Sequence, residues 1–256
     1  MPETTKKTKK TKKTEKSLHL KSLKKSLKVF VGIPFFNTGA ECEKHLPDAI
    51  RSIDNQVTSV EILPVETIGR GRRGDAKRAR KTKSLNVLVE MFLRTDATHI
   101  FIADADNTHP EDAIERLIRH DVDIASGISP THANWNTTTA SVLDGDGVRW
   151  FRRDDIVGKV IGENEIVATG DFCMLAKRRV FERHFDDQAP LRRRLKSEEY
   201  GADLHFWIDA QEMGFEARID GNVVCGHLPE WPLGFDGPED LIGKKIKAQK
   251  WEKAVK

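Results

Sequence analysis

The sequence predicts an α/β fold. It should form one domain on a mostly parallel central sheet flanked by helices, with a smaller antiparallel part later in the chain. Three observations lead there. The apolar runs "LKVFVGIPFFN", "THIFIA" and "VDIASG" are continuous rather than alternating, as expected of strands covered on both faces. Segments of helical period fall between them, giving a β-α-β-α order that favours a parallel sheet. After residue 127 the pattern changes to short alternating stretches separated by Asp-Gly, the signal of an antiparallel hairpin.

The elements follow in chain order. "LKVFVGIPFFN" reads as a buried strand feeding a loop at Pro34 and Asn37. "HLPDAIRSIDNQ" reads as a helix and "VEILPVE" as a second strand. The basic, glycine-punctuated segment "IGRGRRGDAKRARKTK" runs into a helix whose Leu85, Leu88, Val89 and Phe92 keep the i, i+3, i+4, i+7 stripe. "THIFIA" is the third strand, "PEDAIERLIRH" a helix with Pro110 near its start, and "VDIASG" the fourth strand. "SPTHANWNTTTASVLDGDGVRWF" carries the hairpin, and "EIVATGDFCMLAKRRVFE" reads as turn, strand and helix. "ADLHFWIDAQEMGF" is a helix with Ala202, Phe206, Ala210 and Met213 on one face and Gly214 as its C-cap. "FEARIDGNVVCGHL" makes one or two strands. The expected organisation is a lysine-rich tail over 1–27, a folded domain over 28–238 and a polar terminal helix over 239–256.

The 256 residues are 38% hydrophobic and 32% charged, which suits a chain with a sizeable core and no membrane span. Residues 1–28 hold eleven lysines against Glu3 and Glu15, a balance of +9, so the remainder carries −6. "TTKKTKKTKKTEK" has no apolar residue and is expected to be disordered. Leu20, Leu23 and Leu27 in the next stretch suit either a basic amphipathic helix or a solvated tail. No apolar h-region is present at the start, and Cys42, Cys173 and Cys225 match no C-x-x-C spacing. Reduced thiols, packed as small hydrophobes in a cytoplasmic protein, are the expectation.

"FIADADNTHPED" then stands out. Asp104 and Asp106 leave the carboxyl end of a buried strand, where open α/β sheets bind ligands. A carboxylate pair there can hold a divalent cation against a phosphate, because hard cations take oxygen ligands. The plain alternative is a turn, for which Asp, Asn and Pro are ordinary residues. His109, just after the pair, reads as a loop residue rather than a ligand.

Five motifs in order shift the balance: "VGIPFFN", "IADADN", "ATGDFCMLAKRRVFE", "GADLHFWIDAQEMGF" and "CGHL". With them the chain resembles the GT-A fold glycosyltransferases, most closely the family 2-like group, over roughly residues 28–228. The resemblance implies a nucleotide-sugar donor of UDP or GDP type and a Mn²⁺ or Mg²⁺ ion. It implies Asp104 at the ribose and metal, Asp106 as direct metal ligand and His227 as a further ligand. Asp203 falls where the family carries its catalytic base for an inverting transfer. Here Ala202-Asp203 stands where the family often has Glu-Asp, so one acid is missing. Pro34, Asn37, Glu66, Arg80, Gly170 and Asp171 fall where the family meets the nucleotide, diphosphate or sugar. Each also has an ordinary reading. Pro34 and Asn37 suit a strand-to-loop turn, Glu66 an acidic strand end, and Gly170 and Asp171 a tight turn. Arg80 suits a solvated basic face, since residues 69–83 hold eight basic residues.

Two other classes compete with this one. A nucleotidyltransferase would use a similar sheet and metal, while a non-catalytic nucleic-acid or membrane-surface binder would use the basic tail. The +9 tail also suggests a polyanionic or surface-bound acceptor, either modified DNA or a lipid-linked molecule. Trp135 and Trp231 are sugar-stacking candidates whose default role is packing.

Overall fold

The computed structural model describes residues 27–35, 40–69, 77–131, 136–145, 147–185 and 202–227, excepting the side chains at 35, 40–44, 69, 77–81, 183–185 and 202. The basic tail up to residue 26, the terminal helix over 239–256, and Asn37, Trp135 and Trp231 lie outside the described residues. Among the described residues, no helix is long and apolar enough to cross a membrane.

The chain runs β1 (Lys28–Phe35), α1 (Ala40–Asp54), β2 (Glu61–Ile62), β3 (Glu66–Gly69), α2 (Lys77–Leu93), β4 (His99–Ala103) and β5 (Asn107–Thr108). It continues through α3 (Ala113–Arg119), β6 (Ile124–Ile128), β7 (Thr137–Asp144), β8 (Gly147–Arg152), α4 (Arg153–Ile156), β9 (Val160–Ile161) and β10 (Val167–Ala168). The last elements are β11 (Cys173–Lys177), α5 (Arg178–Phe185), α6 (Ala202–Glu212), β12 (Ala217–Val224) and β13 (Gly226–His227). The main sheet has the order β2-β1-β4-β11-β6-β12-β9, with β3 also on β1. β2, β3 and β4 are parallel to β1, and β12 is parallel to β6. β11 runs antiparallel between β4 and β6, and β9 closes the far edge antiparallel to β12. A three-stranded antiparallel sheet, β10-β7-β8, and the β13-β5 ribbon complete the set. This is an α/β architecture, with a mixed, mostly parallel sheet and small antiparallel additions.

Alternation along the strands builds two cores. Val29, Val31 and Ile33 of β1, Phe101 and Ala103 of β4, and Cys173 and Leu175 of β11 pack on one face with α3 and with Ile53 of α1. Phe30, Ile100, Ile102, Met174 and Ala176 face the other way, onto α2, α5 and α6. Phe92 anchors this second core, with Phe30 at 5.9 Å and Phe181 at 6.1 Å between ring centroids. Arg178 lies over the Phe92 ring at 5.1 Å and donates to the Leu93 carbonyl at the end of α2 and to the Thr95 and Ala97 carbonyls just past it. A cation there satisfies orphan carbonyls and complements the helix dipole.

The sequence expectations meet three corrections. "VEILPVE" is not one strand: Leu63–Val65 interrupt it, and β2 and β3 pair with successive stretches of β1. α1 begins at Ala40 and runs through Pro47, longer than its apolar pattern indicated. The strand within "ATGDFCMLAKRRVFE" enters the main sheet against its neighbours' direction, which periodicity cannot encode. Gly214 caps α6 as expected, with φ of +87°.

Candidate active site

The site is built where β4 ends. Asp104 donates its backbone N–H to the Phe172 carbonyl at 3.3 Å, and its own carbonyl accepts from Asn107 N–H at 3.2 Å. That turn swings the chain into β5, which pairs with β13 so that Asn107 faces His227 and Thr108 faces Gly226. The buried Asn107 side chain fixes the pairing: its amide donates to the Gly226 carbonyl at 2.9 Å and to Ser129 Oγ at 3.1 Å.

His227 therefore arrives beside the aspartates. Its Nδ1 is 2.8 Å from the Pro130 carbonyl. A carbonyl can only accept, so Nδ1 carries the hydrogen, and in the neutral ring the lone pair is on Nε2. Nε2 lies 3.9 Å from Asp106 Oδ2. Ligands about 2.1 Å from one ion stand at most about 4.2 Å apart, so this pair can share a cation without moving. A ligating histidine that donates its other N–H to a backbone carbonyl is the usual supporting arrangement. By this test the donor set fits a hard divalent ion, which Asp106 and His227 would hold, with Asp104 two residues upstream on the same strand end.

The candidate base is held nearby. α6 docks on β10 through Gln211, which accepts from Val167 N–H at 3.0 Å and donates to the Val167 carbonyl at 2.6 Å. This sets Asp203, in the first turn of α6, over the segment that follows β10. A Cβ built on Gly170 would lie 3.8 Å from Asp203 Oδ2, so the missing side chain leaves room beside the carboxylate. Asp203 Oδ1 accepts from Leu204 N–H at 3.0 Å. From Gly170 to Phe172 the chain spans at most about 7 Å. One end of that stretch meets Asp203 and the other bonds Asp104.

The other predicted residues are spread more widely. Asp171, within that stretch, is buried. Pro34 is buried two residues beyond Gly32, the last β1 residue paired with β4, so it lies at the same sheet end as Asp104. Glu66 is half-buried where β3 begins, opposite Gly32. Arg80 is in the first turn of α2, with its side chain outside the described set. His109 lies in the loop after β5, as its position suggested, and is buried with both ring nitrogens bonded: Nε2 to the Phe172 carbonyl at 2.8 Å and Nδ1 to Ser52 Oγ at 3.1 Å. Burial pushes its pKa down to about 4. Sequence reasoning missed the positioning parts, namely Asn107, the Pro130 carbonyl and the Phe172 carbonyl. Asn107 alone carried a signal, as the last residue of "IADADN".

The chain is similar in structure to A197 from STIV. That likeness has 15% identity and a TM-score of 0.48, covering 79% of this chain and 86% of that one. It is also similar to S. aureus TarS, at 12% identity and a TM-score of 0.46, over 75% of this chain and 35% of that one. For the S. aureus TarS 1-349 structure the values are 13%, 0.47, 77% and 58%. This chain thus spans about a third of the longer TarS structure. No protein-family model matches the chain, and no curated protein sequence matches it.

Proposed function

We propose that the protein is a metal-dependent glycosyltransferase that moves a sugar from a nucleotide-sugar donor to an acceptor hydroxyl. The observation that carries this reading is the convergence at one sheet end of Asp106, His227 and Asp104 with Asp203, which the Gly170–Phe172 segment links to them. Asp104, Asp106 and His227 would hold a Mn²⁺ or Mg²⁺ ion. Bound there, the ion supplies Lewis-acid stabilisation of the charge that grows on a nucleoside diphosphate as it leaves.

The remaining chemistry belongs to the chain. The acceptor oxygen forms a bond to the anomeric carbon as the bond from that carbon to the diphosphate oxygen breaks. Asp203 takes the acceptor proton, on the face opposite the leaving group in an inverting transfer. Gly170 keeps that face open. Pro34, Asn37 and Glu66 are the donor's nucleotide contacts, Arg80 a bidentate partner for its diphosphate, and Asp171 a sugar-side contact. The acceptor is a modified DNA or a lipid-linked molecule gathered by the basic tail, in the cytoplasm.

A thermal-shift panel of UDP, GDP and their sugar conjugates, with and without Mn²⁺, tests the reading. A ligand selective for the folded state raises stability by about 2.7 kcal/mol at a hundred times its Kd. A Mn²⁺-dependent shift with one nucleotide class, lost in Asp106→Ala, supports it. No shift with any nucleotide overturns it.

A further inference from the structure

Behind the aspartates lies a second group of donors that the proposed transfer does not use. His109, Cys173 and Cys225 are all buried, and their ligand atoms lie within 4.8 Å of one another. They come from three parts of the fold: the loop after β5, the first residue of β11 and the junction between β12 and β13. In sequence they are 64 and 52 residues apart, so nothing in the spacing announced them. Both cysteines are free thiols.

We propose that His109, Cys173 and Cys225 form a second metal site, selective for a soft or borderline divalent cation such as Zn²⁺. Tetrahedral neighbours around Zn²⁺, with Zn–S of about 2.3 Å and Zn–N of about 2.0–2.1 Å, stand about 3.5–3.8 Å apart. Starting within 4.8 Å of one another, the three donors meet that geometry by closing about 1.3 Å or less. Charge favours a divalent ion. Two buried thiolates alone would be costly in an apolar interior, but a divalent cation, two thiolates and a neutral imidazole sum to zero. Binding displaces one proton from each thiol, and both leave to solvent.

Ligation would cost the imidazole one of its two hydrogen bonds. Whichever ring nitrogen turned to the metal, the other would keep its partner, either the Phe172 carbonyl or Ser52 Oγ. Losing His109 would not orphan Ser52, whose hydroxyl also reaches the Ala49 carbonyl at 2.7 Å. Thiolates distinguish this site from the carboxylate site in front of it, since sulfur selects zinc-like ions and carboxylate oxygen selects Mg²⁺ or Mn²⁺. Cys225 is two residues from His227 and Cys173 follows the carbonyl that Asp104 bonds, so the bound ion would tie β13 to β11 behind the active site.

The test is titration of the reduced, chelator-treated full chain with Cd²⁺, followed by its ultraviolet thiolate-to-metal band. One equivalent should produce the band in the wild type, in Cys42→Ser and in Asp106→Ala. Affinity should fall at least tenfold in Cys173→Ala and in Cys225→Ala. A wild type without the band, or a band undiminished in both cysteine variants, overturns the proposal. Should those variants fail to fold, X-ray absorption on the Zn²⁺-loaded wild type decides. Two sulfur neighbours near about 2.3 Å support the site, and a shell of oxygen and nitrogen alone overturns it.

Discussion

His227 Nε2 faces Asp106 Oδ2 across 3.9 Å, although 121 residues separate them in the chain. The pairing of β13 with β5, reinforced by the His227 Nδ1–Pro130 carbonyl bond, brings them together. Removing either side chain should leave the fold intact and remove half of the opposed pair. In Asp106→Ala and His227→Ala, the Mn²⁺-dependent part of the nucleotide thermal shift should disappear, while the melting temperature without ligand stays near wild type. A full shift in both variants would place the cation elsewhere.

Asp203 should behave differently from the metal pair. In the proposed role of base it would contribute about 10²–10⁴-fold to the rate without holding the donor. Asp203→Asn should therefore lower kcat by that factor and leave the nucleotide shift unchanged. Steady-state kinetics alongside the thermal assay separates the two effects. Loss of nucleotide binding in Asp203→Asn would argue for a donor-holding role instead.

Asn107 is a positioning residue for His227. Asn107→Ala removes two hydrogen bonds and leaves the Gly226 carbonyl without that donor. Supporting residues of this kind typically change metal affinity by 10–100-fold. The expected result is a Mn²⁺ affinity lowered within that range, with a stability loss of about 1–3 kcal/mol. Calorimetric Mn²⁺ titration beside urea unfolding reads both. A stability loss with unchanged Mn²⁺ affinity would mean that Asn107 supports only the fold.

His99 makes the fold sensitive to acid. Burial first, and the Lys177 charge second, push its pKa down to about 4 from an ordinary 6.5. Between those values the unfolded chain binds the proton that the folded chain refuses. Stability is therefore complete above about pH 6.5 and is lost as pH falls towards 4, by about 3 kcal/mol in all. Urea unfolding at pH 7 and pH 5 should show the loss in the wild type and a smaller one in His99→Gln. Equal pH dependence in the two would sink this assignment.

The strands that position the site were legible because burial writes itself into sequence. β4 reads as a strand from "THIFIA" alone, and the two aspartates mark its end. Gly214 was legible for a similar local reason, since a helix that ends with positive φ favours glycine. The direction of β11 was not legible, because a five-residue apolar run has the same pattern whichever way it enters a sheet. The β5–β13 ribbon was invisible for want of length: two residues on each side carry no periodicity. "CGHL" offered His227 only through family likeness, and its neighbour Cys225 reads as an ordinary small hydrophobe until β11 brings Cys173 against it.

That ribbon also sets a clock on the newborn protein. One of its strands leaves the ribosome 119 residues before the other. At about 5–20 residues per second, the gap is about 6–24 s. Throughout that interval a nascent chain already carries Asp104 and Asp106 but has no His227 to set against them. On the proposed reading of the site, the growing polypeptide has only the two aspartates to offer a cation until β13 has been made.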